Sequence, residues 1–355
     1  IELLEKPAVM KTLQKKKVYL LAATLRAETM PGQTNCWILP EGQYGCYKAG
    51  ENEVYVTSHR AAKNMSYQEK LMPWGKPECL MEVKGQDLMG CKVKAPQSKY
   101  ESVHILPLLT IKMDKGTGIV TSVPSDSPDD YAAFMDLMKP AKREHYGIKT
   151  EWVEPFKLIP ILKVEIDGEM REMAAEYMCE KLGVQSQKDT VKLQEAHDVC
   201  YKLGFDKGTM TIGPCAGKPV KEAKFEFRAI MMDAGEAFIY SEPEKKVVSR
   251  SGDECVVAGI DQWYLKYGDP NWRPMVEDFV NSPEFRTYND KIHDSFIDAI
   301  GWLKEWACSR SFGLGTKVPW DEKFLIESLS DSTIYMAYYT VAHILQGGCI
   351  DGSQG

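Results

Sequence analysis

Short apolar runs separated by turn residues fill the chain up to about residue 260, and they restrict the fold more than any other feature. Each run has the length and the apolar, β-branched composition of a strand. The strand candidates are residues 17–24, 53–58, 103–111, 118–123, 158–166, 237–241 and 254–258. Many short strands at close spacing favour a closed or nearly closed sheet over a doubly wound one. We therefore expect a β-barrel-like domain of the α/β class.

Helical segments are inserted between these strands. Apolar residues recur at helical spacing over 170–182, and Gly183 stands where a C-cap glycine belongs. A second stripe covers 193–203, and Gly204 is the predicted end of that helix. Both stripes are typical of helix faces that pack into a core, so we expect no ligand site from them.

The pattern changes after about residue 260, where helical spacing and aromatic residues prevail. The apolar members of an amphipathic stripe there are Tyr288, Ile292, Phe296, Ile300 and Leu303. A chain of 355 residues is long enough for more than one domain. We expect residues 1–257 to form the barrel-like domain and 258–355 to form a mainly helical, incomplete one.

Composition narrows the class of function. The formal net charge of −7 argues against a broad basic surface for nucleic acid, because phosphate contacts dominate such binding, yet it leaves room for gripping one RNA end. None of the ten cysteines forms a CxxC pair or a zinc-spaced cluster, so we expect reduced thiols, a cytoplasmic protein and no metal site.

No apolar run reaches the ~20 residues of a membrane helix. Because the chain starts at Ile1 and residues 347–352 do not resemble a domain end, we expect a piece of a longer protein.

Two segments carry more polar chemistry than a turn requires, and the first lies at residues 23–30. It places two hydroxyls, a guanidinium and a carboxylate close together, on Thr24, Arg26, Glu28 and Thr29. The simplest interpretation is a polar strand exit in which Arg26 and Glu28 pair at the surface, a pairing that contributes at most ~1 kcal/mol. Composition alone favours this interpretation.

The second segment spans residues 116–131, where a strand ends near Val123 and a helix begins near Ser127. Ser127 suits the N-cap and Pro128 the first helical position, so one interpretation is a capping box in which Asp130 bonds back to the Ser127 amide. Carboxylates at positions 126, 129 and 130 exceed what capping needs. The other interpretation is a pocket for a cation, and the absence of a nearby His or Cys favours an ammonium over a metal.

Both segments resemble the editing domains of the class I aminoacyl-tRNA synthetases for branched aliphatic amino acids. Those domains carry a threonine-rich stretch of the type T-L-R-P-E-T and a later G-T-G strand that ends in a loop with an aspartate. Residues 24–29 and 116–130 match these two motifs. The continuation through 32–37, and the V-P-S-D-S-P-D-D form of the loop, resemble the leucine enzyme of the eukaryotic and archaeal type.

The second half of the chain agrees with this resemblance. Residues 309–316 resemble the point where the chain re-enters the synthetic domain, and 327–336 resemble the motif that follows it in the eukaryotic leucine enzyme. The resemblance covers essentially the whole chain and implies the cytosolic leucyl-tRNA synthetase family. The family's ATP-binding signatures H-I-G-H and K-M-S-K-S are absent from the chain. The resemblance therefore implies that the chain hydrolyses esters and does not aminoacylate tRNA. ATP and Mg²⁺ would be needed only by the parent ligase.

The resemblance implies a reaction and a set of site residues. The reaction is hydrolysis of the ester in misacylated tRNA(Leu), with noncognate amino acids such as isoleucine, norvaline or methionine. Asp130 is the implied catalytic residue, which holds the α-ammonium while water attacks the ester. The implied substrate-binding residues are Thr24, Leu25 and Arg26 at the adenosine and ester end, Thr29 and Thr121 along the side-chain pocket, and Asp126 and Asp129.

It also implies partners and location. Editing is expected to need no cofactor and no metal. The expected partner is the acceptor end of tRNA(Leu) with its attached amino acid, and we expect a cytoplasmic monomer without membrane contact.

Two residues depart from the family pattern, since Ala27 replaces a proline and Pro31 replaces an aromatic residue. Ala27 removes a φ restraint from the loop, and Pro31 changes the rim beside Thr29. One alternative function is therefore a non-catalytic fragment that docks the tRNA acceptor end with a disabled pocket. The others are a carboxylate-rich, metal-dependent hydrolase and the editing domain of a valine or isoleucine enzyme.

Overall fold

The structure, a computed structural model, describes residues 1–351 and 353, without the side chains of 331–334. Part of the 327–336 motif and Gly352 of the C-terminal run therefore lie outside the described residues. The chain divides into two compact units, 1–259 and 260–355. The assignment of these units to an editing domain and to part of a catalytic domain stays a prediction.

Short strands and helices alternate along the first unit. The strands are β1 (Lys17–Leu20), β2 (Asn35–Ile38), β3 (Gln43–Lys48), β4 (Glu53–Thr57), β5 (Cys79–Lys84), β6 (Lys92–Lys94), β7 (Ser102–Pro107), β8 (Ile119–Ser122), β9 (Leu162–Ile166), β10 (Glu169–Arg171) and β11 (Thr209–Met210). The α-helices are α1 (His59–Ser66), α2 (Gly85–Leu88), α3 (Pro128–Met138), α4 (Pro140–Tyr146), α5 (Ala174–Lys181), α6 (Thr190–Lys207) and α7 (Val220–Asp233). Short 3₁₀ helices cover Ala8–Leu13, Ala27–Gly32 and Thr150–Trp152.

Two four-stranded sheets form the centre of this unit, with the strand orders β1-β4-β3-β5 and β6-β7-β2-β8. β1 pairs with β4, and β2 with β7, in parallel, and the other neighbours are antiparallel. Side chains from both sheets share one core, in which Leu20, Ile38, Val56 and Ile105 are fully buried. Burying such a side chain contributes ~1.5–3 kcal/mol, so this core holds the two sheets together.

The N-terminal residues join the two sheets along one side. Glu2 forms a bridge with Tyr19 of β1, and Leu3 forms one with Val93 of β6. On the other side, β5 and β8 share no ladder within residues 1–351. The expected α/β class is therefore confirmed, and the expected closure is incomplete: the fold is barrel-like without being a closed barrel.

A second core lies where the two motif segments meet the helices. It packs β9 against α5, α6 and α7, and it includes Met30 and Val123, one from each motif segment. Gly32 permits this close approach, since a Cβ there would lie 2.6 Å from Ile161 Cγ2 and 2.9 Å from Val123 Cγ1. The motif segments are therefore fixed by packing on this side.

The two predicted helix stops have different outcomes. Gly183 follows the last turn of α5 at a φ of +62°, which confirms the glycine stop. The stop at Gly204 is wrong, because α6 continues through it to Lys207. Gly204 is buried inside the helix, and a Cβ there would lie 3.5 Å from Asp126 Oδ1, so its small size lets α6 pack close to the aspartate loop.

The strands predicted at 237–241 and 254–258 are absent, apart from one bridge between Val248 and Glu254. A side chain takes the place of a neighbouring strand. The Gln68 amide accepts from Ser241 N at 3.0 Å and donates to Ser241 O at 2.7 Å and to Val257 O at 3.2 Å. Backbone groups satisfied in this way need no ladder.

The second unit combines helices with short strands. Its helices are α8 (Trp272–Val280), α9 (Asp290–Trp302) and α10 (Ser328–Leu345), and its strands are β12 (Tyr264–Lys266), β13 (Glu305–Ala307), β14 (Ser309–Arg310), β15 (Lys317–Val318) and β16 (Asp321–Ile326). The strands form two small antiparallel sheets. Ile292 and Phe296 of the predicted stripe lie on α9. Within the described part of the chain, no helix combines the length and the hydropathy needed to cross a bilayer.

Candidate functional site

An ion pair joins the two motif segments, which lie 100 residues apart in sequence. Arg26 donates from Nη1 to Asp126 Oδ2 and from Nε to Glu28 Oε1, the latter at 2.9 Å. One guanidinium therefore serves two carboxylates. The expected pairing of Arg26 with Glu28 is present, but its expected place at the surface is wrong, because Glu28 is fully buried and Asp126 is 3% exposed.

In this buried cluster, burial disfavours the charged forms of the side chains, whereas ion pairing favours them. Burial raises the pKa of Asp126, and the Arg26 charge opposes that shift. Four of its polar atoms find no hydrogen-bond partner among the described residues: Arg26 Nη2, Glu28 Oε2, Asp126 Oδ1 and the nearby Ser125 Oγ. Because breaking a buried ion pair leaves a charge without compensation, the cluster fixes the two loops relative to each other.

One face of α6 covers this cluster. The Tyr201 ring lies 5.3 Å from Arg26 Cζ. The His197 ring centroid lies 3.9 Å from that of Tyr201. These residues and Gly204 stand at i, i+4 and i+7, which places them on one helix face. Sequence reasoning missed His197 and Tyr201, although this spacing was the available signal.

Asp130 is held differently, by neutral donors. Its Oδ1 accepts from Trp37 Nε1 at 2.8 Å and its Oδ2 accepts from Val123 N at 2.8 Å. Ser127 caps α3 as predicted, accepting from Asp130 N at 3.3 Å, whereas the Asp130 carboxylate turns inward instead of bonding back to the Ser127 amide. Burial raises the pKa of Asp130 to about 7, although the Val123 and Trp37 hydrogen bonds oppose the shift.

The remaining predicted site residues differ in their exposure and in their partners. Thr24 and Leu25 are exposed, Leu25 by 84%. Thr29 is buried in the 3₁₀ helix Ala27–Gly32, and its hydroxyl donates to Arg26 O at 2.8 Å. Thr121 lies on β8 opposite Cys36 of β2. The last of the predicted site residues, Asp129, is half-buried. Burial raises the pKa of its carboxyl group, and the nearby His197 opposes that shift.

Pro31 does not lie on an open rim. It is buried in the 3₁₀ helix Ala27–Gly32, and a Cβ at Gly213 would lie 3.2 Å from Pro31 Cγ. This residue therefore packs against the turn that precedes α7. Ala27 lies at the start of the same 3₁₀ helix, partly buried against the second core.

A cleft of about 240 Å³ lies beside both motif segments. Its lining includes Ala23, next to Thr24, and residues 116–120, which lead into β8. Lys112 and Lys115 bring positive charge to it. A larger hollow of about 520 Å³ lies on the exposed side of α6 and contains none of the predicted site residues, so the smaller cleft is the better candidate for substrate entry.

Within residues 1–351 and 353, no group of three or more His, Cys, Asp or Glu side chains is arranged to hold a metal ion. Burial raises the pKa of several cysteines, as for Cys36 to about 12, so their thiols stay protonated at neutral pH. The expectation that editing needs no cofactor stays a prediction.

Comparison with known proteins gives consistent results. No family model matches the chain. The chain is 51% identical over 343 residues to the cytoplasmic leucine–tRNA ligase of Arabidopsis thaliana. The matched residues make up 96% of this chain and 31% of that protein. The chain thus spans about a third of the length of the curated relatives that it matches.

Solved structures add the architecture. A crystal structure named GlLeuRS-CP1 is 43% identical, with a TM-score of 0.60 over 67% of this chain and 91% of that one. The editing domain of the cytosolic leucyl-tRNA synthetase of P. falciparum is 30% identical, with a TM-score of 0.59 over 65% of this chain and 81% of that one.

Proposed function

The chain belongs to the cytoplasmic leucyl-tRNA synthetase family, and on that premise we propose that residues 1–259 hydrolyse the ester of misacylated tRNA(Leu). The substrates are tRNA(Leu) molecules whose terminal adenosine carries isoleucine, norvaline or methionine. Hydrolysis proceeds by attack of water, without a cofactor or a metal. The similarity to the P. falciparum structure, which is named as an editing domain, supports this proposal.

The observation that carries the proposal is a buried carboxylate without a cation. Asp130 is 6% exposed, and no Lys, Arg or His among the described residues forms an ion pair with it. Burying a charge is costly unless it is paired, so an arriving ammonium stabilises the ionised carboxylate. Each carboxylate oxygen keeps a free lone pair beside the bond from Trp37 or Val123.

In this mechanism, Asp130 fixes the α-ammonium and thereby orients the ester for water. A hydrogen bond between charged groups contributes about 1.5–3 kcal/mol, and restriction to one orientation adds to the rate. Because Asp130 has a pKa of about 7, it is fully ionised only above neutral pH in the free protein, and a bound ammonium lowers that pKa.

The other residues have two kinds of role. The exposed Thr24 and Leu25 lie beside the cleft and contact the adenosine and ester end. Thr29 and Thr121 form walls of the amino acid pocket, since a β-branched side chain is stiff at χ1. The geometry favours positioning over direct contact for Arg26 and Asp126, because each is the other's partner.

The need for such a pocket follows from the limits of binding. One methylene changes the binding free energy by only about 1–3 kcal/mol, so a synthetic site cannot fully reject a similar amino acid. Aminoacyl-tRNA synthetases are the standard example of the solution, a second site that hydrolyses the wrong products. Every amino acid ester carries an α-ammonium, so binding at Asp130 does not distinguish one amino acid from another. Selectivity therefore depends on Thr29 and Thr121.

The test compares ester loss from isoleucyl-, norvalyl-, methionyl- and leucyl-tRNA(Leu) with the wild type and Asp130→Ala. We expect faster loss of the noncognate esters and at least ~100-fold slower hydrolysis in the variant. Asp136→Asn is the matched control, because Asp136 is also buried on α3 but bonds Ser186, Lys139 and Gln187.

Each result has a meaning. Full activity in folded Asp130→Ala overturns the mechanism. Binding of tRNA(Leu) without ester loss in the wild type supports the docking alternative instead. Loss of activity on adding a chelator, restored by a divalent metal, favours the metal-dependent hydrolase.

A further inference from the structure

The loop 116–118 lines the cleft and is held from several directions. Thr117 O accepts from Ser58 N at 2.9 Å, and Gly118 O accepts from the Tyr44 hydroxyl at 2.6 Å. Gly116 N donates to both carboxylate oxygens of Glu242, at 2.9 and 3.1 Å. Ser58 and Tyr44 belong to the two-sheet body, whereas Glu242 reaches the loop from 126 residues away.

Glu242 belongs to an extended strap, residues 237–242, that follows α7. Phe238 stacks on Tyr55 of β4, with ring centroids 6.2 Å apart and an interplanar angle of 22°. Asn64 of α1 donates from Nδ2 to the Tyr240 hydroxyl at 3.2 Å. These contacts, with those of Gln68 to Ser241, dock the strap across α1 at defined points and place Glu242 at the loop.

The Glu242 carboxylate is ionised at neutral pH. Burial works against ionisation, but the hydrogen bonds from Gly116, Arg60 and Tyr240 outweigh it and lower the pKa of this group. Arg60 donates from Nη1 at 2.8 Å and the Tyr240 hydroxyl donates at 3.0 Å. A charged acceptor makes the bond to the Gly116 amide stronger than one between neutral groups.

Loop 116–118 begins the second motif segment and lies next to the first. Gly116 has a φ of +63° and Gly118 a φ of +77°, so the loop needs glycine at both positions and depends on outside contacts to stay in one conformation. Directly after it, Ile119 O accepts from Ala23 N at 3.3 Å, which ties β8 to the segment carrying Thr24.

We propose that Glu242 is a positioning residue for the hydrolysis described above, holding loop 116–118 so that the cleft beside Thr24 is preformed. This inference rests on the proposed function, and it adds the strap to the working site. When the Gly116 contact is lost, the loop samples further conformations, and the apparent affinity falls with the fraction that remains competent.

The experiment uses three variants of the full chain. Glu242→Ala removes the contacts to Gly116 and to Arg60. Glu242→Gln keeps an acceptor for the Gly116 amide but removes the charge. Glu254→Ala is the matched control, because Glu254 also accepts from Arg60, Nε at 3.3 Å, and has no described contact with loop 116–118.

Two readouts separate this inference from the proposed function. Hydrogen exchange of the Gly116 amide is expected to accelerate at least ~10-fold in Glu242→Ala, by a smaller factor in Glu242→Gln, and to change little in Glu254→Ala. In deacylation of isoleucyl-tRNA(Leu), KM is expected to rise about tenfold in Glu242→Ala, with kcat within about twofold of the wild type.

Unchanged Gly116 exchange in Glu242→Ala overturns the inference, whatever the activity. The same holds if Glu254→Ala raises KM as much as Glu242→Ala does, because the effect then comes from Arg60 and general stability. If the wild type hydrolyses no ester, the proposed function fails, and the exchange measurement still decides whether Glu242 holds the loop.

Discussion

Asp126 and Asp130 are both almost fully buried, Asp126 in the turn after β8 and Asp130 in the first turn of α3, but their surroundings differ in charge. Asp126 is paired with Arg26, whereas Asp130 accepts hydrogen bonds from neutral donors, the Trp37 indole and the Val123 amide. The first aspartate therefore has its countercharge inside the protein. No such countercharge is described for the second. In this carboxylate-rich segment, the absence of a countercharge, rather than burial, distinguishes the residue that we propose to hold the α-ammonium.

The strongest test of this comparison removes the cation from the first aspartate. Arg26→Met leaves Glu28 and Asp126 buried side by side without compensation, and we expect a loss of ~3–5 kcal/mol in the free energy of unfolding at pH 8. Part of that loss is recovered at pH 5, because burial raises the pKa of Asp126 and its carboxyl group takes up a proton. Urea denaturation at both pH values measures it.

Arg171→Met is the matched control for this loss. Arg171 also pairs with a glutamate, Glu169, and also lies over a tyrosine ring, Tyr177 at 4.1 Å, but its partner is 68% exposed. The expected loss is at most ~1 kcal/mol. Similar losses in the two arginine variants would show that burial of the Arg26 cluster adds nothing.

The second test follows Asp130 through its titration. Its pKa in the folded state, about 7, lies above the ordinary value of 3.8, so its contribution to stability is complete below pH 4 and is lost as the pH rises through 7. Asn does not titrate. The stability of Asp130→Asn relative to the wild type should therefore improve from pH 4 to pH 8, by up to ~4 kcal/mol. A relative stability that stays constant over this range contradicts the raised pKa.

The smallest expected effect comes from the donor to Asp130. Trp37→Phe removes the indole N–H, and the pKa of Asp130 rises further, because one of the hydrogen bonds that lower it is lost. The acid limb of the deacylation rate should move to higher pH. Trp263→Phe is the control, because its indole also donates to an aspartate, Asp321 at 3.0 Å, at an exposed site. A limb that stays in place while thermal stability falls would reduce Trp37 to a packing role.

Local signals in the sequence predicted local structure well. Ser127 as N-cap and Gly183 as helix stop are confirmed, because each depends on hydrogen bonds or φ angles within one turn. The stop predicted at Gly204 was wrong because the role of that glycine is not local: it permits contact between α6 and the aspartate loop. The strands at 237–241 and 254–258 failed because their backbone is satisfied by the Gln68 side chain, which no periodicity reveals.

The sequence by itself determined the family, the mixed α/β class and the two loops in which the polar residues gather. Only the tertiary structure decided which of those residues has a partner. Arg26 finds Asp126 across 100 residues, Trp37 finds Asp130 across 93 and Gly116 finds Glu242 across 126. Sequence patterns report neighbours along a helix or strand, whereas these pairings depend on sheet register and on the packing of distant segments.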